Sequence, residues 1–99
     1  DLTRGELGTR GTAEIRKEES DKATQILNLD VRENLSLRDG FFENNEESKL
    51  AIIKVLRKYQ PEIVLANSLS DRHIDHGRAA RLVADSCFLA GLRKIETLE

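Results

Sequence analysis

Ninety-nine residues is one small domain or a piece of a larger one. Sixteen basic residues stand against eighteen acidic ones, a net charge of −2, and only four residues are aromatic. That balance argues against nucleic acid or an anionic membrane as the main partner. No apolar run approaches the length of a membrane span, and the opening residues do not read as a signal peptide, so none is expected. The single cysteine, Cys87, has no internal partner, which fits a reducing, cytoplasmic setting.

In chain order the elements alternate. Asp1 to Thr3 reads as the last residues of a strand, and Arg4 to Gly11 as a mobile surface loop with glycines at 5, 8 and 11. Thr12 is a good N-cap, with Glu14 in the first turn where the helix dipole favours a carboxylate. The helix then runs to about Leu27, with Ile15, Ala23, Ile26 and Leu27 along one stripe and Asn28 beyond its end. Val31 to Leu37 is a weak strand signal, closed by a turn at Asp39-Gly40. Asn45 caps a second helix, Glu46 to Tyr59, with a broad apolar face at Leu50, Ile52, Ile53, Val55 and Leu56, and Pro61 stops it.

Ile63-Val64-Leu65-Ala66 is a short continuous apolar run after a proline, the pattern of a central, doubly covered parallel strand. A polar loop follows, then a third helix from about His76 to Leu89. Its buried side would hold Ala79, Ala80, Leu82, Val83, Cys87, Phe88 and Ala90. The expected fold is therefore α/β: a partial doubly wound sheet of three strands and three helices in alternation. Three strands leave two bare edges, so missing strand material is expected before Asp1 and after Glu99, and the fragment is expected to be marginally folded or held in a homo-oligomer through those edges. The whole chain reads as a single incomplete domain, an internal fragment.

Ligands of such sheets bind beyond the carboxyl ends of the strands. By that register the informative segment is Ser68 to His76, which contains both histidines, His73 and His76, with Asp71 and Asp75 beside them. A helix N-terminus disfavours imidazolium, leaving a nitrogen lone pair for a metal, and an adjacent carboxylate can orient the ring. A catalytic zinc, however, takes three protein ligands, and no third histidine is present. Two surface histidines near a helix N-terminus, with Asp75 as the capping residue, need no function at all, so a non-catalytic α/β scaffold with incidental histidines stays open. A nucleotide-binding domain is less favoured, since no phosphate-binding glycine loop follows a complete strand.

Asp71-Arg72-His73-Ile74-Asp75-His76-Gly77 resembles the His-Pro-Asp-His motif of the LmbE-like (PIG-L) zinc-dependent N-deacetylases. The opening Asp1 to Thr12 and Arg16-Lys17-Glu18-Glu19 look like the segment after that family's second strand. Leu89-Ala90-Gly91-Leu92-Arg93-Lys94 matches its bacillithiol-biosynthesis branch. The resemblance covers essentially the whole chain. It implies that His76 is a ligand of Zn2+, or another divalent metal. It also implies that His73 stabilises or protonates the tetrahedral intermediate, with Asp75 orienting its ring. By the resemblance Arg16 would face the substrate, though it also reads as a solvated helix arginine paired with Glu19 or Ser20; Arg72 is a further candidate for substrate binding, or forms an ion pair with Asp71 or Asp75. The remaining ligands and the base would lie in a His-x-Asp-Asp motif upstream of Asp1. The implied substrate is a small-molecule sugar conjugate of the N-acetylglucosamine type, with N-acetylglucosaminyl malate preferred. Ile74 stands where the family usually has proline, leaving the backbone between the histidines less pre-set.

Overall fold

A computed structural model describes residues 1–97 and resolves the chain into two compact units, Asp1–Phe41 and Phe42 onward. Three helices form: α1 (Ala13–Ile26), α2 (Glu46–Tyr59) and α3 (Ile74–Ala90).

In the first unit, Thr12 caps α1 by accepting the Ile15 N–H at 3.1 Å. Asn28, at φ 52°, turns the chain away after the C-cap Leu27. The stripe expected to be buried on α1 is not: the helix has no buried residue, and Ile15 and Ile26 are exposed. Residues 1–3 run parallel to residues 35–37, joined by Leu35 N–H to Asp1 O and Leu37 N–H to Leu2 O, each 2.8 Å. This pairing amounts to one isolated bridge, Thr3 to Leu37. Ser36, at φ 55°, takes the left-handed conformation between them and interrupts the extended backbone that a longer ladder needs.

The glycine-spaced loop is tied down. Glu6 accepts the Asp39 N–H and Asp39 accepts the Leu7 N–H, both at 2.9 Å. At Gly8 the Arg16 guanidinium lies close against the backbone, so a Cβ there would have to displace that side chain.

In the second unit, Asn45 caps α2 by accepting the Ser48 N–H at 2.9 Å, and Gln60, left-handed at φ 49°, ends it just before Pro61. α2 and α3 pack on each other and supply nearly all of the core: Ile52, Ile53, Ala79, Ala80 and Leu82, closed by Phe42. Full burial of Ile53 and Leu82 contributes about 1.5–3 kcal/mol each. Ser86, also fully buried, satisfies its hydroxyl by donating to Leu82 O at 2.7 Å. At the far end of α3, Arg57 donates to Ala90 O (3.2 Å), Leu92 O (3.0 Å) and the Thr97 hydroxyl (3.0 Å), satisfying carbonyls that the helix end leaves open.

The expected α/β architecture is thus corrected. Among the described residues there are three helices, one bridge and no sheet, so neither a three-strand doubly wound sheet nor its edges exist. The run at Ile63-Val64-Leu65 explains the misreading. Its composition is that of a buried parallel strand, but such a strand is held by ladders on both sides and layers on both faces. Here it has neither: Ile63 is 79% and Leu65 92% exposed, and the backbone is irregular. Cys87 and Phe88, expected in the core, are exposed, while Ser86 takes the inward position. None of the helices among the described residues is long and apolar enough to cross a membrane.

Candidate active site at the start of the third helix

The Ser68–His76 segment builds its geometry from local hydrogen bonds. Asp71 Oδ1 accepts the His73 N–H at 2.8 Å, forming a tight turn that delivers the chain to α3. His73 is the N-cap: its Nδ1 accepts the Asp75 N–H at 3.1 Å, and its carbonyl accepts the His76 N–H at 3.1 Å. The helix therefore begins at Ile74, two residues earlier than sequence reasoning expects, and the cap is His73 rather than Asp75. Ile74 is the first helical residue. That position suits proline because its N–H has no intrahelical partner in any case, and Ile74 adopts the same helical backbone without it. Gly77 lets the loop approach, since a Cβ there would sit 3.3 Å from Leu69 O.

The two imidazoles lie side by side, centroids 4.8 Å apart and planes 18° from parallel. His76 Nδ1 lies 3.0 Å from Asp71 Oδ2. The main-chain N–H of His73, and next the His76 ring, hold the Asp71 carboxyl below the ordinary carboxylate range. Asp75 is buried, 7% exposed, with Arg78 3.7 Å from its Oδ1; Arg78 also donates to Phe42 O at 3.4 Å.

The expected site residues are distributed as follows. His73, Asp75 and His76 share one turn at the start of α3, with Arg72 exposed in the loop just before it. Arg16 belongs to the first unit, where its guanidinium donates to Arg10 O at 3.1 Å beside Gly5 and Gly8. Asp75 touches His73 through its main-chain N–H, whereas the carboxylate on an imidazole is that of Asp71, on His76. Sequence reasoning placed Asp71 beside the histidines without giving it that part. Its two-residue spacing to His73, which suits a side-chain-to-backbone turn, was the available signal.

The arrangement can present one imidazole nitrogen, His76 Nε2, to a metal from a half-exposed ring. Among the described residues no group of three His, Cys, Asp or Glu side chains converges on one point. These residues alone therefore do not make the three-ligand set of a catalytic zinc, although His76 with Asp71 behind it fits a single ligand.

Residues 1–87 match the PIG-L family, GlcNAc-PI de-N-acetylase, and the chain belongs to it. The structure is also similar to the crystal structure of the conserved protein TT1542 from Thermus thermophilus, with a TM-score of 0.91 and 46% sequence identity. That match covers 95% of this chain and 43% of the other, so this chain spans less than half the length of that relative.

Proposed function

We propose that this chain supplies the His73–His76 half of the active site of a hydrolase that removes the acetyl group from an N-acetylglucosamine-type conjugate. The observation that carries this reading is the paired arrangement at the start of α3, one imidazole backed by Asp71 and its neighbour capped by a main-chain N–H. Family membership supports the reaction type. N-acetylglucosaminyl malate, the bacillithiol precursor, is the preferred substrate because of the Leu89–Lys94 resemblance. The lone, exposed thiol of Cys87 suits the reducing cytoplasm in which such a pathway would run.

In this reading His73 is the hydrogen-bond donor to the substrate oxygen. Its Nδ1 is occupied as an acceptor, so the neutral ring carries its proton at Nε2. From there it donates a hydrogen bond to the oxygen that gains charge as the amide carbonyl is attacked. His76 offers Nε2 to a divalent metal, zinc in the favoured case, with further ligands coming from elsewhere in the full-length protein. When bound, such a metal polarises the carbonyl and acidifies a water. Arg16 and Arg72 are assigned to the polar conjugate.

The full-length protein tests this directly. Deacetylation of N-acetylglucosaminyl malate is followed by release of the free amine, and bound zinc by elemental analysis. His76→Ala is expected to lose both. His73→Asn, which keeps a helix cap, is expected to keep zinc while activity falls about 10²–10³-fold, the range for a lost oxyanion donor. Full zinc content and full activity in His76→Ala would overturn the reading.

A further inference from the structure

Asp71 has both carboxylate oxygens engaged, one on each histidine. Oδ1 takes the His73 main-chain N–H and Oδ2 meets His76 Nδ1, at 2.8 and 3.0 Å. An ionised carboxylate only accepts, so the second contact requires a proton on His76 Nδ1. Neutral His76 then carries its lone pair at Nε2. Its stacked neighbour is set the other way, because His73 Nδ1 accepts the Asp75 N–H and leaves the ring proton at Nε2. Asp75 is not available for the same duty: its carboxylate is buried, within 3.7 Å of Arg78.

The geometry points to Asp71 as a positioning residue that fixes His76 in the Nδ1–H tautomer while holding the His73 main chain, so that the paired rings present one lone pair and one N–H side by side. Its value to catalysis rests on the function proposed above, where the lone pair serves the metal and the N–H the substrate oxygen. The tautomer itself does not depend on that reading. A metal ligand whose far nitrogen is held by a carboxylate has its ring orientation and protonation set before the metal arrives, and losing such a partner costs about 10–100-fold in metal affinity or activity.

The test uses the full-length protein with ring-¹⁵N histidine, free of metal, at a pH about two units above the ordinary imidazole value near 6.5. Two-bond ¹H–¹⁵N spectra report the tautomer, and His76→Gln identifies the signal. Wild-type His76 is expected to be protonated at Nδ1. Asp71→Asn keeps a carbonyl for the His73 N–H but turns an amide donor toward His76, so the ring is expected to switch to Nε2–H. Zinc affinity should fall about 10–100-fold with it. Asp71→Ser retains an acceptor for the His73 N–H and leaves His76 Nδ1 without one, so mixed tautomers are expected; it serves if Asp71→Asn does not fold. His76 protonated at Nε2 in the wild type, or an unmoved tautomer in folded variants, overturns the inference. A tautomer switch in a protein with no zinc binding and no deacetylation would sink the proposed function and leave the positioning role standing. Intact activity with an unmoved tautomer would do the reverse.

Discussion

Leu82 on α3 is fully buried and packs in the α2–α3 core, two turns beyond the histidine pair. Leu82→Ala removes three carbon atoms from that core. At about 0.8 kcal/mol per buried methylene, the transfer loss alone is roughly 2.4 kcal/mol. The cavity left behind raises the total to about 3–5 kcal/mol, because neighbours such as Ile53 are fixed by helix packing and close the space only in part. A domain of this size is stable by only about 5–15 kcal/mol, so roughly a fifth or more of the stability should go. Phe88→Ala is the control. It lies on the same helix but is 72% exposed, and a surface change away from caps and networks stays within about 0.5 kcal/mol. Urea unfolding followed by helical circular dichroism measures both as midpoint shifts at constant slope. Equal small shifts for the two variants would refute the assignment of the core, and with it the account of what holds α3 in place.

Two further outcomes concern ends and loops. Asn45→Ala removes the side chain that accepts the Ser48 N–H at the start of α2, and should cost about 1 kcal/mol, read from the same urea midpoint. Asn45→Ser should recover most of it. Glu6 is expected to titrate below an ordinary glutamate, mainly because it accepts the Asp39 main-chain N–H. Its folded value lies below its unfolded one, so its contribution is fully present above the unfolded value and disappears as pH falls through the folded one. Carboxyl NMR titration checks this. An ordinary midpoint for Glu6 would show that the loop bond does not persist in solution.

Helix boundaries were legible where a cap and a stop bracket them. Thr12 and Asn45 announce α1 and α2, and Pro61 closes the second after Gln60 has turned left-handed. α3 was harder because Asp75 is the more usual capping residue, and only coordinates reveal that the His73 ring takes that place. Strands were the failure. Periodicity records which side chains would like burial, not whether a neighbouring strand is there to receive them, and Ile63 to Leu65 satisfied the pattern without a ladder. Val31 to Leu37 failed for a different reason: Ser36 leaves the β region. Within the candidate site, the residue types and their clustering were readable from Asp71 to His76. Which carboxylate serves which imidazole was not, since two aspartates flank the pair and the choice depends on the turn that Asp71 makes with the His73 main chain.

On the proposed function His73 holds two posts with one ring: Nδ1 closes the open end of a helix, and Nε2 is left for the substrate. Replacement by alanine therefore confounds a lost catalyst with a frayed helix. Asparagine, among the best residues for capping, keeps the first post and vacates only the second. Evolution faces the same bind. A drift at position 73 that preserves folding is easy to find, one that preserves an imidazole proton in the same place is not, and the permitted alphabet there shrinks to the overlap. Folding alone would tolerate several residues at this position, while the two duties together leave histidine.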